Sequence, residues 1–109
     1  MTKHDGWGQV IIWEFQVRPG MEKQFEEVYG PQGEWARLFS RDEAYLGTEL
    51  IRDSKVPRRY VTLDYWSSEK AYDNFRNCHR ESYKAIDQKC EAMTEGEREI
   101  GRFTPCSAD

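Results

Sequence analysis

The order of strand-like and helix-like segments constrains this chain most, because it fixes how many helices are available to cover a sheet. Dense β-branched and aromatic residues predict strands at residues 9–17, 45–52, 59–66 and 97–103. Apolar residues at helical spacing predict a first helix over residues 21–39, interrupted at 30–33. A second helix is predicted from a cap at Ser67 or Ser68 to about Met93. The element order is therefore βαββαβ.

This order is the split βαβ arrangement, so the sequence predicts an α+β, ferredoxin-like fold with an antiparallel sheet. Two helices can cover only one face of that sheet. Neither face of the third strand is fully polar, since one carries Val61 and Leu63 and the other carries Thr62 and Trp66. We therefore expect the uncovered face to pack against a second copy of the chain, which gives a two-fold homodimer.

The length of 109 residues predicts a single domain over residues 1–109, with a core at about 9–103. Its four Trp, six Tyr and five Phe carry more apolar surface than one small core needs. A self-association face or a pocket for a flat ligand would use the excess.

Charge and cysteine content exclude several classes of protein. The net charge is −4 and no basic stripe is present, so nucleic acid is not an expected partner. No apolar run approaches the roughly 20 residues of a membrane span. Cys78 and Cys90 lie twelve residues apart in one predicted helix, which places them roughly 18 Å apart and too far to bridge. Reduced thiols favour a cytoplasmic protein.

A helical wheel of the second helix places Tyr72, Phe75, His79 and Tyr83 on its inward arc. The outward arc carries mostly charged residues, namely Lys70, Asp73, Arg76, Asn77, Arg80, Glu81, Lys84 and Asp87. His79 is then either a hydrogen-bonded core residue or a base near neutral pH. No metal site is predicted, because the other histidine, His4, is near the N-terminus and far from His79 in the sequence, and no second ligand lies at a suitable spacing.

Asp64 lies on the same strand face as Thr62 and Trp66. If that face meets the helices, an unpaired carboxyl there would have a raised pKa. Asp64 then either forms a structural ion pair or a hydrogen bond to a helix residue, or it acts as a general base for a phenolic proton. The indole N–H of Trp66 and the phenol of Tyr72 would hold the resulting anion, or would be core side chains only.

The chain resembles the antibiotic biosynthesis monooxygenase family from Val10 to Phe103. The resemblance is carried by three segments in order, at residues 17–20 (VRPG), 45–50 (YLGTEL) and 65–72 (YWSSEKAY). It implies a dimeric α/β barrel. The quinone-forming branch of that family oxidises flat polyketide phenols with O₂ and no cofactor, at a site between the sheet and the helices of each subunit.

That branch uses a Trp on the third strand, a Tyr six residues later and an Asn four residues before the Trp. The resemblance places these roles at Trp66, Tyr72 and Thr62, where Thr replaces the amide by a hydroxyl. The haem-degrading branch has a Trp and a His at the positions that hold Phe75 and Ala85 here, so both of its ligand features are absent.

Two classes of function follow from these residues. The first is a cofactor-independent monooxygenase acting on a small electron-rich aromatic, with candidate catalytic residues Trp66, Tyr72, His79, Thr62 and Asp64. The second is a non-catalytic dimer that binds a small ligand or acts as a stress or accessory protein, and an isomerase or cyclase could use the same base and acid. A ligand would contact five aromatic residues that are otherwise core or dimer contacts: Trp13, Phe15, Trp35, Phe75 and Tyr83.

Overall fold

The computed structural model describes residues 6–106, so His4 lies outside the described residues. A single antiparallel sheet has the strand order β2-β3-β1-β4, which confirms the predicted α+β, ferredoxin-like fold. Its strands are β1 (Gln9–Val17), β2 (Tyr45–Arg52), β3 (Arg59–Trp66) and β4 (Thr94–Phe103). β4 begins three residues before its predicted start at residue 97.

The predicted interruption of the first helix is confirmed, and it yields α1 (Glu22–Tyr29) and α2 (Glu34–Phe39). Gly33 lies between them, where a Cβ atom would run into the backbone carbonyls of Glu27 and Val28. Only glycine allows this close approach of the two segments. The interruption therefore turns α2 across the sheet beside α1.

The prediction of one continuous second helix is wrong. The segment divides into α3 (Glu69–Cys78) and α4 (Arg80–Cys90), followed by a 3₁₀ turn at Glu91–Met93. His79 leaves helical geometry at φ −120° and ψ 32°, although its backbone still bonds Phe75 and Tyr83. The change of direction brings α4 beside α2, where Tyr83 meets Trp35 edge to face. No Pro or Gly in the sequence marks this break.

The helix-facing side of the sheet is covered by an aromatic core. Trp66, at the end of β3, is fully buried. Its ring lies 5.2 Å from Tyr72 and from Phe75 of α3, and 5.6 Å from Phe39 of α2. Phe25 of α1 stacks on Tyr29 at 4.2 Å. These contacts fix the helices over one face of the sheet.

The other face of the sheet has no covering element among residues 6–106. It carries Ile51 and Phe103, which are 54 % and 45 % exposed. Glu14 on the same face bonds both Arg59 and Arg98. The face is thus part apolar and part charged, and its Glu14 is paired with two arginines.

The three cysteines are free, with Cys90 buried and Cys78 and Cys106 exposed. Within the described range of the chain, no helix is both long and apolar enough to cross a bilayer.

The N-terminus of α3 distinguishes the two candidate capping residues. The Ser68 hydroxyl accepts a hydrogen bond from the Ala71 amide at 3.1 Å. We expect Ser68→Ala to lower the free energy of unfolding by about 1 kcal/mol, because that amide loses its partner. Ser67→Ala is the matched control and should change it by less than about 0.5 kcal/mol. Urea unfolding of both variants measures the difference, and equal losses would contradict this assignment.

Candidate functional site

A cavity of about 330 Å³ lies between the helix-facing side of the sheet and helices α1 to α4. Its volume falls within the range of small-molecule sites. Aromatic side chains form most of the wall, with five polar or charged groups among them. The lining residues are Trp13, Phe15, Tyr29, Trp35, Phe39, Thr62, Asp64, Tyr72, Arg76, Tyr83, Asp87 and Glu97.

Seven of the ten candidate site residues predicted from the sequence line this cavity. β1 and β3 place Trp13 and Thr62 side by side, because the two residues are cross-strand partners. Strand alternation then puts Phe15 and Asp64 on the same face. The helices bring the remaining three to the opposite wall, namely Trp35, Tyr72 and Tyr83.

Three predicted residues do not line the cavity: Trp66, Phe75 and His79. Trp66 and Phe75 are packed against each other in the core and are almost completely buried. The indole Nε1 of Trp66 has no hydrogen-bond partner among the described residues. His79 stacks on Phe75 with ring centroids 4.6 Å apart, so it lies behind the first layer of core aromatics.

Asp64 is the carboxyl that the sheet presents to the cavity. The Thr48 hydroxyl of the neighbouring strand donates to Asp64 Oδ1 at 2.6 Å, and the Tyr45 hydroxyl lies 2.5 Å from Thr48 Oγ1. Burial raises the pKa of Asp64 to about 6, and the Thr48 hydrogen bond opposes this rise in part. At neutral pH Asp64 is therefore ionised and able to take up a proton.

Arg76 is the cation of the cavity wall. Its Nη1 donates to the Tyr72 hydroxyl at 2.9 Å, and its guanidinium lies 3.8 Å from the centroid of the Tyr83 ring. No carboxylate lies within 4 Å of it in the described part of the chain. The helical wheel placed Arg76 on the outer arc, and this was wrong, because Arg76 follows Tyr72 by four residues on α3 and so lies only about 40° from it around the helix, on the side that faces the cavity.

Four more lining residues were not singled out from the sequence: Tyr29, Phe39, Asp87 and Glu97. Asp87 was assigned to the outer arc for the same reason as Arg76. Glu97 reaches the cavity because β4 pairs it with Phe15 beyond a register shift. Partial burial raises the pKa of Glu97, with Asp87 and Glu91 adding to the rise. Burial also raises the pKa of Tyr29 and of Tyr83, so both phenols stay protonated at neutral pH.

The described residues 6–106 contain no cluster of three or more His, Cys, Asp or Glu arranged to hold a metal ion.

Sequence comparison adds to this geometry. The family model for antibiotic biosynthesis monooxygenases matches residues 9–88, which include β1 to β3, all of α3 and most of α4. The chain belongs to the antibiotic biosynthesis monooxygenase family. No curated protein matches the sequence.

Solved structures of similar fold include three bacterial proteins. SnoaB, a cofactor-independent oxygenase from Streptomyces nogalater, is 19 % identical with a TM-score of 0.74, over 94 % of this chain and 96 % of SnoaB. A Caulobacter crescentus protein that bears the same family name is 16 % identical with a TM-score of 0.73, over 94 % and 93 %. PA3566 from Pseudomonas aeruginosa is 15 % identical with a TM-score of 0.65, over 95 % and 99 %. At these identities the likeness establishes the fold.

The raised pKa of Asp64 has a consequence for stability that needs no substrate. The carboxyl binds a proton more tightly in the folded chain, with a pKa of about 6, than at its ordinary value of 3.8. The contribution of Asp64 to stability should therefore fall as pH rises from about 4 to about 6, since the folded state must give up that proton. Asp64→Asn removes this effect, and it should be more stable than wild type by up to about 3 kcal/mol at pH 8 and by little at pH 4.

Chemical denaturation of both proteins at pH 4 and pH 8 measures this difference. Asp73→Asn is the matched control, because its side chain is 53 % exposed. That variant should show no gain that grows with pH. An Asp64→Asn effect of the same size at both pH values would contradict the assignment of a raised pKa.

Proposed function

We propose that this protein is a cofactor-independent monooxygenase that oxidises a small electron-rich phenol with O₂, with Asp64 as the general base. The observation that carries this proposal is a buried carboxyl with a pKa of about 6 on the wall of a mainly aromatic cavity. Family membership and the fold shared with the oxygenase SnoaB support it.

The proposed reaction begins with proton transfer from the substrate hydroxyl to Asp64. A phenolate can pass one electron to O₂, after which the two radicals combine into a peroxide. Breakage of the O–O bond leaves one oxygen on the ring carbon as a carbonyl. The other oxygen leaves as water with the two hydrogens lost by the substrate, one of them returned by Asp64. The sum is one phenolic O–H, one ring C–H and one O₂ converted to two C=O groups and one H₂O.

Arg76 and Thr62 supply the electrostatic part of this proposal. A guanidinium without a carboxylate partner on the cavity wall would stabilise the phenolate and the peroxide anion. The Thr62 hydroxyl offers one donor at the position where the quinone-forming branch has an amide. The aromatic wall would hold the flat ring and exclude water from the anion.

The hydrogen-bonded series from Asp64 through Thr48 to Tyr45 would hold the Asp64 carboxyl in place while it takes up and returns the proton. The Thr48 hydroxyl donates to Asp64, and the Tyr45 hydroxyl lies beside it on the same strand. Burial raises the pKa of Tyr45 to about 12, so its phenol stays protonated at neutral pH.

A ligand-binding protein without catalysis is the second candidate. The position of Trp66 favours it, because the buried indole does not line the cavity and so cannot hold a substrate oxygen there without rearrangement. Trp66 and Phe75 do not fill the cavity, so it has room for a ligand under both candidate functions. Consumption of O₂ separates them.

We expect O₂ uptake above the buffer rate with anthrone- or quinol-type phenols, measured with an oxygen electrode. The rate should rise with pH through about 6 and then level off, since the base must be ionised. Asp64→Asn should reduce kcat by about 100-fold or more. Asp73→Asn is the control and should retain the wild-type rate. No uptake across the panel, or full activity in Asp64→Asn, would overturn the proposed reaction.

We also propose that the chain forms a homodimer through the uncovered face of the sheet. The exposed Ile51 and Phe103 on that face support this, as does membership of a family whose members are typically dimeric. Sedimentation should give a dimer at micromolar concentration. Ile51→Lys should weaken it by placing a charge in the interface, whereas Val56→Lys in the β2–β3 loop should not. A stable monomer of the wild-type chain would contradict the proposal.

A further inference from the structure

A second depression, the α3–α4 groove, adjoins the aromatic cavity on the outer side of the helices. It is defined by Arg76, Asn77, Arg80, Tyr83, Lys84 and Asp87, and its volume is about 380 Å³. Three of these residues, Arg76, Tyr83 and Asp87, also line the cavity. The two spaces therefore share a wall, and a ligand in the cavity could extend into the groove.

Three cations converge on the α3–α4 groove. Arg76, Arg80 and Lys84 have no carboxylate within 4 Å among the described residues. Unpaired cations are common on surfaces, but these three surround one depression at the end of an aromatic cavity, in a chain whose net charge is −4. Arg80 and Lys84 are four residues apart on α4, where like charges destabilise a helix.

The hydrogen bonds of Arg76 leave most of its donors unused. A guanidinium has five N–H donors. The one hydrogen bond from it within the described chain goes to the Tyr72 hydroxyl, and the Tyr83 ring lies against its face. Both partners are neutral, so they hold the guanidinium in position without cancelling its charge. The remaining N–H groups are suited to a carboxylate or phosphate oxygen.

The acidic residues around the two spaces give a ligand one preferred direction. Asp87 is the only carboxylate that lines the groove within residues 6–106, and it offsets one of the three positive charges. The cavity wall carries Asp64 and Glu97 in addition to Asp87, with Arg76 as its cation. An anionic substituent would therefore be favoured in the groove over the cavity, which leaves the aromatic part of a ligand pointing inward toward Asp64. A phenolate would form in the cavity only as Asp64 takes up its proton and becomes neutral, so it adds no net negative charge there.

We propose that the ligand of this protein is a flat aromatic with an anionic substituent, and that Arg76, Arg80 and Lys84 bind this anion in the α3–α4 groove. This proposal rests on the proposed function for the occupancy of the cavity, and it adds the chemical class of the substrate. It does not depend on O₂ chemistry, because binding alone tests it.

A matched pair of probes isolates the charge of the substituent. We choose 6-hydroxy-2-naphthoate, which is an anion at pH 7.5, and its neutral carboxamide. Trp13 and Trp35 line the cavity, so quenching of tryptophan fluorescence reports binding. Wild type at low salt should bind the carboxylate about tenfold more tightly than the amide. Salt near 0.5 M should remove most of this preference, since exposed charges are screened.

Substitutions test which charges are responsible. Arg80→Gln with Lys84→Gln should bring the carboxylate affinity close to that of the amide, and Arg76→Gln should lower it as well. Lys23→Gln with Lys55→Gln removes the same total charge from exposed sites outside the groove and should preserve the preference. Arg76→Lys keeps the charge and should retain part of the effect, which separates loss of charge from loss of packing.

The outcomes separate this proposal from the proposed function. Equal affinity of wild type for the two probes would overturn the anionic substituent and leave oxygenation of a neutral phenol in place. A preference that survives Arg80→Gln with Lys84→Gln, or that disappears equally in Lys23→Gln with Lys55→Gln, would also overturn it. Binding of neither probe would count against both proposals, whereas binding with no O₂ uptake would count against oxygenation alone.

Discussion

The packing of Trp66 is the contact on which the rest of the site depends. Its indole fills the space between the end of β3, α2 and α3, and it meets Phe39, Tyr72 and Phe75 at ring distances of 5.2 to 5.6 Å. A large rigid side chain at this point sets how far the helices stand from the sheet. Further along, Thr62 and Asp64 on β3 and Trp13 on β1 line the cavity that this separation leaves.

The burial of Asp64 under the helices affects both the stability of the fold and the chemistry proposed for the cavity. A carboxyl under the helices loses hydration, and the single hydroxyl of Thr48 only partly replaces it. In the folded chain the ionised form of Asp64 is therefore less favourable than the neutral acid would be. An unfavourable burial of this kind is typical of functional sites, where a residue is retained although it lowers stability.

Much of the fold followed from the sequence because local signals and tertiary packing agree there. The bounds of β1, β2 and β3 matched the prediction, since each strand is rich in β-branched and aromatic residues and ends at a turn residue or a helix cap. Gly30 and Gly33 marked the break of the first helix. Strand alternation also placed Thr62 and Asp64 on one face of β3, and the structure adds that this face meets the helices.

The parts of the site that were missed depend on geometry without a local signal. The wheel assigned Arg76 and Asp87 to its outer arc although each lies only about 40° from an inward tyrosine, and it is the packing of α3 and α4 over the sheet that turns this boundary toward the cavity. A register shift between β1 and β4 brings Glu97 opposite Phe15, and sequence alternation cannot anticipate a bulge. Both errors arise where packing between distant segments overrides the local period.

The cavity wall is assembled from four helices and three strands that are scattered along the chain. No contiguous segment contains enough of it to form a partial site. Occupancy would therefore favour the fully folded chain over every partly folded form and would add its binding free energy to global unfolding. Amide hydrogen exchange should then slow together in the sheet core and in α4 when the cavity is filled, so the molecule responds to a ligand as one cooperative unit.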